Sequence, residues 1–111
     1  MAMHFCAHAW EVSDLDNGTL VALSNRDLTA EATSVLAEEL FEIACESDHP
    51  NISLDFERIG LVSSVVVAKM VVLDGQLREI GGRLSVVNVN PTLYDLFVYM
   101  GLNEVIAIQR R

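Results

Sequence analysis

Basic residues are scarce in this chain: Lys and Arg number 7 against 16 Asp and Glu, a formal net charge of −9. Phosphate backbones and anionic lipid surfaces are gripped through basic faces, so duplex nucleic acid and membrane surfaces are excluded as main ligands. Proline (2) and glycine (6) are also few and 51% of the residues are hydrophobic, which excludes a disordered or collagen-like chain. No apolar run approaches the ~18 residues of a membrane span. The opening Met1-Ala-Met-His-Phe-Cys6 has no basic region ahead of an apolar stretch, so no secretory leader is expected. Only two cysteines occur, Cys6 and Cys45, far apart and in no metal-binding spacing; they predict reduced thiols in a cytoplasmic protein. The 111 residues suit one domain, 1–111, able to bury a core without disulfides or metal. A soluble acidic domain with a protein partner fits this composition.

Turn and cap signals then divide the chain. Residues 4–12 alternate as a strand, Asn17-Gly18 is a strong hairpin signal, and Thr19 to Leu23 returns as a second strand. Asp27 or Thr29 can cap the helix that follows, because either side-chain oxygen can accept from free first-turn N–H groups. Val35, Leu36, Leu40, Ile43 and Ala44 make its apolar stripe. Glu31, Glu38, Glu39, Glu42 and Glu46 fill its polar side, with no Lys or Arg between residues 27 and 48. That face reads as solvated surface or as a dock for a basic patch.

After His49-Pro50, Ile52, Leu54 and Phe56 alternate with Ser53 and Asp55 as a strand. A helix over 65–80 has the stripe Val66, Met70, Leu73, Leu77 and Ile80, and Gly81-Gly82 stops it. Leu84 to Val89 is a strand. Asn90-Pro91 pairs an N-cap with proline at the first helical position, and Leu93, Leu96, Phe97 and Met100 stripe a short helix ending at Gly101. Val105 to Ile108 closes as a strand. The order β-β-α-β-α-β-α-β predicts an α/β domain: a mixed sheet, antiparallel at its opening hairpin and parallel beyond, with helices mainly on one face.

Enzyme motifs are missing: no phosphate-binding glycine loop, no G-x-S-x-G and no H-E-x-x-H occur. His4, Cys6 and His8 share one side of the first strand and offer soft ligands, but residues i and i+2 lie ~6.6 Å apart on a terminal strand, and no metal site is expected. Asp55 and Glu57 read as structural carboxylates. No catalytic residue, metal or cofactor is expected. Leu61-Val-Ser-Ser-Val65 sits where a strand or loop gives way to a helix. A serine there can cap the helix with its hydroxyl, or accept a phosphate that free amides and the helix dipole favour.

Taken together, Leu54-Asp-Phe-Glu-Arg-Ile-Gly-Leu-Val-Ser-Ser64, Gly81-Gly-Arg-Leu-Ser-Val-Val-Asn-Val-Asn-Pro91 and the closing Met100-Gly-Leu resemble the STAS domain, and more narrowly bacterial anti-sigma factor antagonists. The resemblance covers residues 19–108 and is strongest over 52–102. It rests on the order and spacing of several segments. The family usually carries D-S-S-G-L at the start of the helix. Here the matching stretch is Ser63-Ser64-Val65-Val66, so Ser64 falls on the serine phosphorylated in many members. Ser63 stands where the family has Asp, and Val65 and Val66 stand for its second Ser and its Gly. Ser24-Asn-Arg-Asp27 occupies the family's acidic turn and keeps its Asp.

The resemblance implies a non-enzymatic partner switch. The unmodified domain would bind an anti-sigma factor of the serine-kinase type, phosphorylation of Ser64 (Ser63 as second choice) would release it, and a PP2C-like phosphatase would reset it. The implied partner surface is Asp27, Ser63, Ser64 and Val65, with the turn 24–28. The alternative is a constitutive, unphosphorylated STAS scaffold in a lipid-transport or stress-signalling assembly. A nucleotide ligand is disfavoured, because Gly81-Gly82 ends a helix instead of opening one.

Overall fold

The computed structural model describes residues 10–111. Strand β1 (Glu11–Leu15) turns back through Asp16-Asn17 into β2 (Gly18–Ser24). A 3-10 turn (Asn25–Leu28) leads into α1 (Ala30–Cys45). Then come β3 (Ile52–Arg58), α2 (Ser64–Glu79), β4 (Leu84–Val89), α3 (Pro91–Tyr99), a 3-10 turn (Leu102–Glu104) and β5 (Ala107–Arg110). The sheet order is β1-β2-β3-β4-β5, with β1 antiparallel to β2 and every other pair parallel. This is the α/β arrangement that the element order predicts. The hairpin closes one residue earlier than Asn17-Gly18 alone implies: Leu15 pairs with Gly18, so Gly18 is already strand. A side chain there would put its Cβ 2.3 Å from the Asn51 carbonyl oxygen. The metal candidates His4, Cys6 and His8 lie outside the described residues.

All three helices pack on the same face. Val21, Leu54, Phe56 and Val86 are buried on that face, while Leu20, Ser53, Asp55, Ser85 and Val87 on the other are only half-buried. Leu36 and Leu40 of α1 and Met70 and Leu73 of α2 meet over Leu54 and Phe56. Phe97 of α3 reaches the same floor, its ring centroid 6.3 Å from that of Phe56.

The caps explain the helix boundaries. Thr29 accepts from Ala32 N–H and caps α1. Asn90 accepts from Leu93 N–H at 2.8 Å ahead of Pro91. The end of α2 is a Schellman motif: Gly82 N–H donates to Leu77 C=O, Gly81 N–H donates to Arg78 C=O, and Gly81 adopts φ +86°.

Four sequence expectations need correction. Val35 is exposed, and α1 turns Ala32, Thr33, Leu36, Leu40 and Ala44 inward instead. Only Leu93 and Phe97 of the α3 stripe are buried, because this short helix covers the β5 edge, which leaves Leu96 and Met100 at the rim; Ile80, past the end of α2, is exposed as well. The last strand starts at Ala107 and not at Val105. Val105 C=O is taken by the guanidiniums of Arg78 and Arg83, and Ile106 is buried beneath, so pairing with β4 begins one residue on, at Ala107 opposite Ser85.

Candidate functional site

The residues between β3 and α2 are held from both sides. Ile59 is buried and anchors them. Asn25 donates from Nδ2 to Leu61 C=O (2.8 Å) and accepts at Oδ1 from Gly60 N–H (2.9 Å). Asn90, while capping α3, donates from Nδ2 to Ile59 C=O (3.0 Å) and Gly60 C=O (3.1 Å). Two asparagines from neighbouring connections thus satisfy loop groups that no sheet ladder reaches. Neither was singled out from the sequence for this task. Asn90 was legible as a cap, but its second role and that of Asn25 depend on contacts at separations of 30 to 36 residues.

The two serines are placed differently. Ser63 is the N-cap, with extended backbone (φ −83°, ψ 163°), and its Oγ accepts from Val66 N–H at 3.4 Å. Ser64 is the first helical residue. It is exposed, and its hydroxyl makes no hydrogen bond among the described residues. No acidic residue occupies the first turn of α2, so the positive end of the helix dipole stays uncompensated there. Leu61, 65% exposed, and Val65 flank Ser64 with apolar surface.

Asp27 is placed differently from its neighbours on the implied surface. It is 2% exposed, and its Oδ2 accepts from Ser24 N–H (2.8 Å) and Ser24 Oγ (3.2 Å). Its carboxylate therefore closes the turn that presents Asn25, and it is Thr29, not Asp27, that caps α1. Arg26 and Arg58 line the hollow above Asp27 together with Glu11.

Asp55 is half-buried, and its Oδ1 accepts from Glu57 N–H and Asn88 Nδ2, consistent with a structural role. Among the described residues no group of His, Cys, Asp or Glu could hold a metal ion, and no helix is long and apolar enough to cross a membrane. The helix α2 also buries a carboxylate that the sequence expectations do not include. Asp74 is 1% exposed in α2; it accepts from Leu84 N–H (3.0 Å) and pairs with Arg78 (2.9 Å) and Arg83 (3.5 Å). Arg78 lies one turn along the same helix, but Arg83 and the Leu84 N–H come from the following strand and its approach, and the burial of Asp74 rests on them.

A mixed five-stranded sheet of this order, with three helices on one face and a serine-bearing helix start gripped by two loops, defines a domain of the STAS class. The family model described as "Mlab, STAS domain" matches residues 10–108, and the chain belongs to that family. Among solved structures it is similar in fold to the protein TM1081 of Thermotoga maritima, with a TM-score of 0.82 and 14% identity over 99% of this chain and 87% of that one. It is likewise similar to the anti-sigma factor antagonist SpoIIAA in its unphosphorylated form (TM-score 0.73, 19% identity, covering 90% and 87%). A third is a serine-to-glutamate variant of RsbS from Moorella thermoacetica (TM-score 0.73, 15% identity, covering 94% and 88%). No curated protein matches the chain in sequence.

Proposed function

We propose that this domain is an anti-sigma factor antagonist that binds an anti-sigma factor of the serine-kinase type through the start of α2 and is released when Ser64 is phosphorylated. The observation that carries the reading is the division of labour at residues 63 and 64. Ser63 holds the cap, so the exposed Ser64 hydroxyl is free to react without uncapping the helix. The acceptor chemistry is simple: Ser64 Oγ attacks the γ-phosphorus of ATP held by the kinase, its proton passes to the kinase's base, and ADP leaves. A phosphate at this position gains from first-turn amides and the dipole. Buried against a partner, it would be a desolvated dianion beside Leu61 and Val65, which weakens the complex. Fold likeness to SpoIIAA, solved in unphosphorylated and phosphorylated forms, supports the reading. In it Asp27 acts by fixing the turn 24–28 and not by direct contact, and a PP2C-like phosphatase removes the phosphate. The domain is a substrate and binding protein, not an enzyme.

A second reading, a fixed scaffold subunit of a lipid-transport or stress-signalling assembly, is favoured by Leu61 and Val65. An exposed apolar pair suits a permanent interface. A relative in fold comes from the stressosome, described as a signal integration and transduction hub.

Intact-mass measurement and phosphopeptide mapping of the protein from its native cells, under several growth conditions, test the proposal. One phosphate on Ser64 in a fraction that varies with condition is expected, as is weaker binding to the kinase partner by Ser64→Asp than by Ser64→Ala. A single unmodified species throughout, with equal binding by both variants, would leave the scaffold reading.

A further inference from the structure

Between α1 and α2 the surface opens into a groove of about 430 Å³. Ala37 and Phe41 of α1 and Val72 and Leu73 of α2 form its apolar lining, and Glu38 and Glu42 stand on its α1 side. Val72 is 61% exposed, far more than a valine in a packed helix pair. Glu38 and Glu42 are exposed and make no ion pair among the described residues. Lys69 is the groove's one basic residue, on the α2 side; α1 and its flanks from 27 to 48 carry none.

A second observation lies directly underneath. A cavity of about 20 Å³ shares Ala37, Lys69 and Leu73 with the groove, and Thr33 forms part of its wall. Thr33 is 4% exposed, and its Oγ1 has no hydrogen-bond partner among the described residues. Buried hydroxyls are ordinarily paired. The seam between the helices is therefore incompletely filled as well as incompletely satisfied.

We propose that this groove receives a basic amphipathic helix of a partner protein. Its apolar residues, at helical spacing, would rest on Ala37, Phe41 and Val72, and its Lys or Arg side chains would face Glu38 and Glu42. The acidic side repels nucleic acid and also repels a second copy of the same face, which leaves a cationic helix as the complementary occupant. The net charge of −9 would speed its approach. The groove is separate from the Ser64 end: its α2 residues start at Lys69, five residues along, or about 7.5 Å at the helical rise. The inference stands whether or not Ser64 is phosphorylated.

The test uses the full chain and three synthetic helical peptides of about three turns. One has Leu on one face and Lys on the other, one has Leu and Glu, and one keeps the same Lys count with Ser in place of Leu. Anisotropy at about 0.15 M salt gives affinities, and amide shifts give the location. The Leu/Lys peptide is expected to bind best and to shift residues 34–42 and 69–76. Val72→Asp, and separately the double change Glu38→Gln with Glu42→Gln, should each weaken it about fivefold or more. All three positions are exposed, so these variants keep the fold. A charge-matched control, Glu57→Gln with Glu79→Gln, should bind as the wild type does, as should Ser64→Asp. Equal binding of the Lys/Ser peptide, or equal weakening by the control pair, would mean bulk charge attraction and overturn the proposal. Loss of binding in Ser64→Asp would put the peptide at the other end of α2 and overturn it too.

Discussion

Asn25 and Gly60 lie 35 residues apart in sequence and are joined by a hydrogen bond of 2.9 Å from the Gly60 N–H to Asn25 Oδ1. With the return bond from Asn25 Nδ2 to Leu61 C=O, this side chain fixes the loop that delivers Ser64. Asn25→Ala should cost about 1 kcal/mol, since the bonds are exposed to water. The sharper readout is hydrogen exchange: the Gly60 amide should exchange much faster in Asn25→Ala. It should stay protected in Asn25→Asp, which keeps the acceptor. Unchanged protection in the alanine variant would show that Asn25 does not hold the loop.

Ser63 and Ser64 should separate in stability as they do in geometry. Ser63→Ala removes the acceptor for Val66 N–H and is expected to cost about 1 kcal/mol. Ser64→Ala removes an exposed hydroxyl with no described partner and should stay within about 0.5 kcal/mol of wild type. Urea titration of both variants decides this. The reverse order would move the cap to Ser64 and leave Ser63 as the free hydroxyl.

Asp74 ties α2 to the start of β4 and to Val105 through its two arginines. Asp74→Ala leaves Leu84 N–H without its acceptor in a buried place, for a loss of about 2–3 kcal/mol. Asp74→Asn, which retains a carbonyl for Leu84, should lose less. Arg78→Ala and Arg83→Ala should each cost under about 1 kcal/mol, because both guanidinium-bearing side chains are substantially exposed. Thermal unfolding of the four variants gives the ranking.

Gly82 is packed against the chain at Pro50. A Cβ there would lie 1.9 Å from the Pro50 carbonyl oxygen, closer than any contact tolerates. Gly82→Ala must shift the backbone and should cost about 2 kcal/mol or more. Gly75→Ala, where an added Cβ meets nothing, is expected to stabilise α2 by about 0.5–1 kcal/mol. Denaturation midpoints moving in opposite directions would bear out both.

Much of the fold is legible in the sequence. The Asn90-Pro91 start, the Gly81-Gly82 stop and the alternation of Ile52, Leu54 and Phe56 are local signals, each set by backbone sterics or by free N–H and C=O groups that near neighbours satisfy. Such signals act over a few residues, and so they survive in a bare sequence. The serines at a helix start are legible in the residues, and the turn 24–28 beside them is what the family resemblance implies.

Tertiary structure alone decided the rest. Whether Val35 or Thr33 faces inward depends on which side of α1 meets α2, a rotation that the apolar pattern of one helix leaves open. Asp74 became a buried clamp because Leu84 and Arg83 approach it in space, whereas the bonds of Asp27 to Ser24 are local and only its burial is tertiary. The grip of Asn25 and Asn90 on residues 59–61 exists only once β2, β3 and β4 lie side by side. By itself the sequence determined where elements begin, where they end and which can pair. It could not determine which polar side chains meet across the domain, because hydrogen bonds have short reach and those partners come together only on folding.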